Sequence, residues 1–114
     1  MTVALVKTIK DHDEIYQAIL IWCPGCSETH EDGSLRGGLH MLPISGDSTK
    51  RPTWIWNGDL EKVMLSPSIL SRHMDIVCHS FVQNGMWEFL SDSTHKLSGQ
   101  KVPMVDLPDW LLAE

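Results

Sequence analysis

The stretch that decides the fold is Ile19-Leu20-Ile21-Trp22-Cys23-Pro24-Gly25-Cys26, an apolar run that ends in a turn between two cysteines. The run is short and is stopped by Pro24 and Gly25, which favours a buried strand over a helix. Pro24 presets its φ angle and Gly25 offers a permissive dihedral, so both sulfurs can be aimed at one point. Two thiolates held in this way are half of a structural zinc site. The sequence therefore predicts a zinc-binding turn at a strand end.

A structural zinc site needs four protein ligands, and the chain has one further cysteine, Cys78. A histidine must therefore complete a Cys3His set. His30 lies near the turn, His40 begins a predicted strand after a glycine-containing loop, and His95 lies further along the chain. His79 is the neighbour of Cys78, and adjacent strand residues point to opposite faces, which disfavours His79 as a ligand of the same ion. The residues alone leave the fourth ligand open.

The same turn resembles a thioredoxin active site with its two central residues exchanged, which raises a redox alternative. A thioredoxin thiolate is stabilised at the start of a helix. Residues 27–38 have no helical apolar period and contain three glycines, so they predict a polar loop instead. Metal binding is therefore the preferred role of the two cysteines, ahead of redox chemistry and of inert packing in the core.

Length, composition and charge limit the class of protein. The chain fits one domain, residues 1–114, and its 42% hydrophobic and 21% charged side chains are those of an ordinary globular protein. The formal charge of −6 argues against charge-driven binding to nucleic acid or anionic lipid. No run approaches the ~18 apolar residues of a membrane span, and residues 1–10 lack a signal-peptide pattern. Three cysteines, an odd number, fit thiolate ligands in a reducing cytoplasm better than disulfides.

Alternating and β-branched runs predict a mainly β, small single-domain antiparallel fold with a zinc-knuckle-like turn and one short helix. The clearest hairpin joins residues 75–82 to residues 86–90 through Asn84-Gly85, and Cys78 lies in its first strand. Pro67 predicts an edge strand, a bulge or a bend, because it cannot donate to a central ladder. Residues 91–99 are predicted to form one short capped helical turn that ends at a glycine. Further strands are predicted at residues 2–9, 18–22, 39–44 and 53–56.

A second group of side chains has the residue types of a hydrolytic site, namely Ser66, Ser68, His79, Asp92 and His95. His95 is three residues after Asp92 and can pair with its carboxylate. The chain contains no Gly-x-Ser-x-Gly elbow, no phosphate-binding glycine loop and no His-Glu-x-x-His helix. Because residue types without geometry do not establish a reaction, an enzymatic role is the second hypothesis and not the first.

Five segments together carry a resemblance to a known family: Trp22-Cys23-Pro24-Gly25-Cys26, Trp54-Ile55-Trp56-Asn57-Gly58-Asp59, Leu65-Ser66-Pro67-Ser68-Ile69-Leu70, Cys78-His79-Ser80-Phe81-Val82, and Phe89-Leu90-Ser91-Asp92-Ser93-Thr94-His95-Lys96-Leu97-Ser98-Gly99-Gln100. In this order they resemble a family of small phage and prophage proteins of unknown function, often labelled "ammonia monooxygenase". That label implies a membrane-bound copper oxidase, which a sequence without membrane spans contradicts. The resemblance implies a phage origin and a small, metal-organised β fold.

The resemblance also selects the fourth ligand. In the family pattern a histidine opens a short apolar strand after the second cysteine, and His40 matches it better than His30. Residues 27–39 then form an insertion. The implied zinc ligands are Cys23, Cys26, His40 and Cys78.

The leading hypothesis is a phage- or prophage-derived, zinc-stabilised accessory protein that acts as a binding module on a host or phage protein. An acidic surface suits a basic protein target. The alternative is a metal-dependent hydrolase whose ion keeps an open position near Cys78 and His79, with His79, Asp92 and His95 as acid–base or outer-shell groups. Four protein ligands favour the structural role, and three ligands plus water favour catalysis. A nucleic-acid-binding role is disfavoured by charge.

Overall fold

The computed structural model describes residues 2–11, 14–29, 35–45, 53–73 and 76–112. Within these ranges the chain forms a three-stranded sheet, a five-stranded sheet, a two-stranded ladder and one helix of four residues. The prediction of a mainly β antiparallel fold with one short helix is confirmed. The elements are β1 (Ala4–Asp11), β2 (Glu14–Trp22), β3 (Glu28–Thr29), β4 (Leu35–Arg36), β5 (Leu39–Ser45), β6 (Ile55–Trp56), β7 (Leu65–His73), β8 (Ile76–Gln83), β9 (Met86–Phe89), β10 (Lys101–Pro103) and α1 (Asp109–Leu112).

The three-stranded sheet has the order β1-β2-β5, and both strand pairs are antiparallel. β1, the strand predicted at residues 2–9, is an edge strand of this sheet. Ile21 in the central strand β2 is opposite Ala4 on one side and His40 on the other. Residues 18–22 of β2 are all buried, because both faces of this strand are covered. The continuous apolar run before the cysteine turn is the sequence pattern of such a strand.

The five-stranded sheet has the order β10-β9-β8-β7-β6, with every pair antiparallel. The hairpin of β8 and β9 turns at Asn84 and Gly85, whose φ angles are 52° and 73°. Two consecutive left-handed residues are what a two-residue type I′ turn requires, and Asn-Gly supplies them at low cost. The predicted hairpin is confirmed, and it places Cys78 and His79 in β8 near the middle of the sheet.

One hydrophobic core joins the facing sides of the two larger sheets, so the sheets form a single packed unit. A second cluster lies on the other side of the three-stranded sheet, where Leu107 and Leu111 from the C-terminal segment cover Trp22. The core residues from the three-stranded sheet are Ala4, Ile19, Ile21 and Leu42, and those from the five-stranded sheet are Leu65, Ile69, Cys78, Val82, Trp87 and Phe89.

Two segments differ from the predictions. Residues 91–99 form turns instead of a helix. The N–H of Thr94 donates to the carbonyl of Val77 in β8, so it cannot make a helical hydrogen bond within the segment. In the described part of the chain the one helix is α1, close to the C-terminus. Residues 28–29 and 35–36 were predicted as loop but pair as the antiparallel ladder β3–β4.

Pro67 interrupts β7 with a bulge, as its residue type predicted. Leu65 is opposite Val82 and Ile69 is opposite Ser80, so residues 66–68 of β7 lie across from the single residue between those partners in β8. The peptide bond before Pro67 is cis. A bulge locally re-aims side chains relative to the pleat. Here it leaves Ser68 half-buried on the outer side of the sheet, while Ile69 enters the core.

The turn of the β8–β9 hairpin makes a prediction about glycine. Gly85→Ala forces a left-handed φ on alanine and brings its Cβ to 2.9 Å from the Glu61 carbonyl oxygen. Gly99 has a similar φ of 76° but open space around it. Gly99→Ala should therefore cost only the dihedral term, about 1 kcal/mol, and Gly85→Ala at least about 1 kcal/mol more. Denaturant unfolding measures both, and equal losses would contradict the steric part of this account.

Candidate functional site

The cysteine turn follows β2 directly and is fastened on both sides. The N–H of Cys26 points at Cys23 Sγ, at 3.4 Å, and the N–H of Cys23 donates to the carbonyl of Gly38 at 2.6 Å. The second bond ties the turn to the segment that enters β5 and so to His40. The prediction of a cysteine turn at a strand end is confirmed.

Four side chains from three parts of the chain converge at this turn: Cys23, Cys26, His40 and Cys78. One ligand atom of each lies within 4.8 Å of the others, and Cys23 Sγ is 3.7 Å from Cys78 Sγ. All three cysteines are free, and three of the four residues are buried. These four residues form a candidate metal centre, and they are the four that the sequence and the family resemblance selected.

The charge on the three sulfurs is strongly coupled. Hydrogen bonds from Cys23 and Cys78 lower the pKa of the Cys26 thiol, with a further contribution from His40. The hydrogen bond with Cys26, together with burial, raises the pKa of Cys23 to about 12, and hydrogen bonding to Cys23 and Cys26 raises the pKa of Cys78. A bound dication would instead favour the thiolate form of all three.

Gly25 serves the turn through its missing side chain and not through its dihedral. Its φ lies outside the left-handed region, so the expectation of a special dihedral at this glycine is wrong. A Cβ atom here would overlap the imidazole ring of His95, which lies over the turn. The glycine therefore allows His95 to approach the cysteines.

A second polar group lies on the outer face of β8. His79 Nδ1 is 2.9 Å from Asp92 Oδ2, and His79 Nε2 is 3.2 Å from Ser68 Oγ. The His79 side chain is 26% exposed and that of Asp92 is 61% exposed, so solvent reaches this group. Serine, histidine and carboxylate are in the order of contacts that activates a serine nucleophile.

Three elements position this second group. The bulge in β7 places Ser68 next to β8, and β8 presents His79. The hydroxyl of Ser93 accepts the N–H of His79 at 3.0 Å and donates to its carbonyl at 2.9 Å. Because Ser93 takes the place of a strand partner here, the preceding residue, Asp92, lies beside the imidazole.

The structure separates side chains that the hydrolase alternative had placed at one open metal site. His79 points away from the metal centre because Cys78 next to it points into the core. The spacing in the sequence suggested that His95 would pair with Asp92, but it does not. Its Nε2 atom instead lies 3.3 Å from Cys78 Sγ. Burial lowers the pKa of His95, which favours its neutral ring. His30, another candidate for the fourth ligand, is outside the described residues.

Sequence reasoning named Ser68 only as one residue type among several and did not select it as a nucleophile. The signal that could have selected it is Pro67, because a proline inside a strand pattern predicts a bulge, and bulges often re-aim functional side chains. No sequence spacing indicated that Ser68 would meet His79, since the contact depends on the pairing of β7 with β8.

Comparison with known proteins gives a family match. The sequence model of a family described as bacterial ubiquitination-like system serine protease (BubE) matches residues 3–90. No curated protein and no solved structure matches the chain. The matched residues include Ser68, His79 and all four side chains of the candidate metal centre, and the match ends two residues before Asp92. The phage origin implied by the earlier resemblance stays a prediction.

The candidate metal centre predicts binding of one divalent ion per chain with a defined ligand set. Replacing His40 by Gln should weaken the affinity for cobalt(II) at least about tenfold and change the absorption bands of its thiolate coordination. His79→Gln is the matched control, because His79 faces away from the centre, and it should leave the cobalt(II) spectrum unchanged. Equal effects in the two variants, or no effect in His40→Gln, would contradict the ligand set.

Proposed function

This chain belongs to the family of bacterial ubiquitination-like system serine proteases (BubE), and we propose that it is a serine protease with Ser68 as nucleophile, His79 as general base and Asp92 as the carboxylate that orients His79. The observation that carries the proposal is the continuous contact from Ser68 Oγ to His79 Nε2, and from His79 Nδ1 to Asp92 Oδ2. The activity named for the family supports the same assignment.

The geometry assigns a role to each imidazole nitrogen. A carboxylate is only an acceptor, so the proton of neutral His79 lies on Nδ1, where Asp92 accepts it. Nε2 then has a free lone pair directed at the hydroxyl of Ser68. This is the tautomer that a general base needs. The chain order serine, histidine, aspartate differs from the orders of chymotrypsin, subtilisin and the α/β-hydrolases, which is compatible with a role defined by geometry.

The proposed reaction follows from these contacts. Ser68 Oγ bonds to the carbonyl carbon of the peptide bond while its proton moves to His79 Nε2. His79 gives that proton to the leaving amine as the carbon–nitrogen bond breaks, which leaves an acyl ester on Ser68. A water molecule then loses a proton to His79 and attacks the ester, and Ser68 regains the proton as the acid leaves. One water is consumed for each peptide bond cleaved.

The open setting of the site supports a polypeptide substrate. Small molecules are generally held in concave pockets that bury most of their surface, whereas Asp92 is exposed on the face of a sheet. Leu70 is the cross-strand partner of His79 and is 51% exposed, so an apolar side chain stands beside the site. We infer that the substrate is a protein of a ubiquitination-like system, as the name of the family suggests.

Zinc is the proposed ion of the metal centre. Tetrahedral zinc with bonds of about 2.3 Å to sulfur sets two sulfurs about 3.8 Å apart, and the Cys23 and Cys78 sulfurs are 3.7 Å apart. Three cysteines and a histidine fill four positions, which is the ligand count of a structural site. The ion would then stabilise the fold, and the serine–histidine–aspartate group on the other face of β8 would carry out the chemistry.

A non-enzymatic binding module on a host or phage protein is the alternative that the sequence favoured. The net charge of −6 suits a basic protein partner. A binding module has no need of an activated serine, so the reactivity of Ser68 distinguishes the two functions.

The protease proposal predicts that a fluorophosphonate probe labels one serine, Ser68. The hydroxyl of Ser68 would bond to phosphorus and expel fluoride, with His79 accepting the proton. Ser68→Ala should abolish labelling, and His79→Gln should slow it at least about 100-fold. Intact-mass and peptide mass spectrometry measure the adduct and its position.

Ser66→Ala is the matched control, because Ser66 is an exposed serine on the same strand two residues away. It should be labelled at the wild-type rate. Absence of any adduct on the folded, metal-loaded protein, or an adduct that survives Ser68→Ala, would rule out this nucleophile.

The zinc proposal predicts one equivalent of zinc per chain in elemental analysis of protein purified under reducing conditions. Chelation should unfold the chain, because structural zinc contributes on the order of 10 kcal/mol to folding. Cadmium or cobalt added back should restore both the fold and the labelling of Ser68, since the ion takes no part in the reaction. Purified protein without stoichiometric zinc, or a chelated protein with unchanged thermal stability, would refute the structural role.

A further inference from the structure

The segment that carries Asp92 returns across β8 and is bound to its backbone. Thr94 donates its N–H to the carbonyl of Val77 at 2.8 Å, and its hydroxyl accepts the N–H of Val77 at 2.8 Å. The hydroxyl of Ser93 likewise binds the backbone of His79, accepting its N–H and donating to its carbonyl. These contacts fix the position of the segment, residues 92–95, along β8. The side chains at its two ends nevertheless reach opposite faces of the sheet.

Asp92 and His95 are those two ends. Asp92 lies on the outer face with His79, while His95 passes to the inner side and lies 3.3 Å from Cys78 Sγ. Cys78 and His79 are consecutive residues of β8. The segment of residues 92–95 therefore contacts both faces of β8 at two consecutive residues.

The position of the proton on the neutral His95 ring follows from a contact with the backbone of Leu97. The backbone N–H of Leu97 donates to His95 Nδ1 at 3.2 Å, so Nδ1 is an acceptor and the proton of the neutral ring is on Nε2. Nε2–H consequently points at Cys78 Sγ as a donor. A nitrogen that carries a proton cannot ligate a metal, so His95 belongs outside the four ligands and His40 remains the fourth.

The ring of His95 is held in place by packing as well as by hydrogen bonds. It makes a T-shaped contact with the ring of Phe89, at a centroid distance of 4.6 Å and an interplanar angle of 90°. On another side it lies against Gly25, where any Cβ would overlap it. The cysteine turn, the core and the segment after β9 thus share this one ring.

We propose that His95 is a positioning residue: its N–H bond to the sulfur of metal-bound Cys78 couples occupancy of the metal centre to the placement of Asp92 against His79. The proposal rests on the proposed function. A bound ion would hold the Cys78 sulfur in the position where His95 Nε2 lies 3.3 Å from it. Loss of the ion weakens this bond, releases one end of the segment and lets Asp92 move from the imidazole.

The test compares two replacements of His95 by proton NMR and metal release. The Nδ1 proton of His79 in its bond to Asp92 should give a low-field signal, which Asp92→Asn removes and thereby assigns. His95→Phe fills the space but has no donor, so it should bind one ion, release it to a chelator about ten times faster and lose the low-field signal. His95→Gln keeps an N–H donor and should retain most of the signal. Lys96→Ala, an exposed neighbour, is the unchanged control.

Three outcomes would overturn the proposal. The low-field signal could persist at full intensity in His95→Phe, or it could be lost from metal-loaded His95→Gln. The cobalt(II) spectrum of His95→Phe could also show one protein ligand fewer, which would make His95 a ligand. If His95→Phe does not fold, Asp92→Asn decides. Because coupling between two sites is reciprocal, this variant should weaken the affinity for cobalt(II), and an unchanged affinity would overturn the proposal.

These measurements do not depend on hydrolysis. If Ser68 proves unreactive but the signal still follows the donor at position 95, the proposed function fails and the coupling stands. If Ser68 is labelled but the signal ignores His95, the protease stands and the coupling fails.

Discussion

The alternation of side chains along β8 is the constraint on which the rest of the site depends. Cys78 and His79 are neighbours in the chain, and a strand must send them to opposite faces. The inward residue joins a cluster of sulfurs in the core, and the outward residue meets a serine and a carboxylate. One strand therefore holds a candidate metal centre and a candidate catalytic group back to back, separated by the thickness of the sheet.

The candidate metal centre and the candidate catalytic group are built from different kinds of contact. The inner side is closed by residues from the cysteine turn, β5 and β8, at a place where an ion would staple the two sheets of a small domain. The outer side remains open to solvent and is assembled by backbone features: a bulge at Pro67 and the turns that contain Ser93. The candidate metal centre and the candidate catalytic group thus share a strand without sharing side chains.

Several parts of this structure could be read from the sequence because they depend on local chemistry. The Asn84-Gly85 turn needs left-handed residues, the cysteine turn needs two thiols at a strand end, and Pro67 cannot sit in a regular ladder. The pairing of His95 with Asp92 was wrong for a related reason. A spacing of three residues brings side chains together on a helix, but residues 91–99 bond to β8 and form turns.

By itself the sequence determined the β character, the position of the hairpin and the supply of metal-ligating residues, because these follow from side-chain type and short-range periodicity. It also determined that the side chains of Cys78 and His79 would point to opposite faces of the sheet. Only the tertiary structure decided that Ser68 meets His79, that Asp92 completes that contact and that His95 turns inward to Cys78. Each of these contacts joins residues from different strands or loops, and their distance is set by strand register and a bulge, which no local pattern specifies.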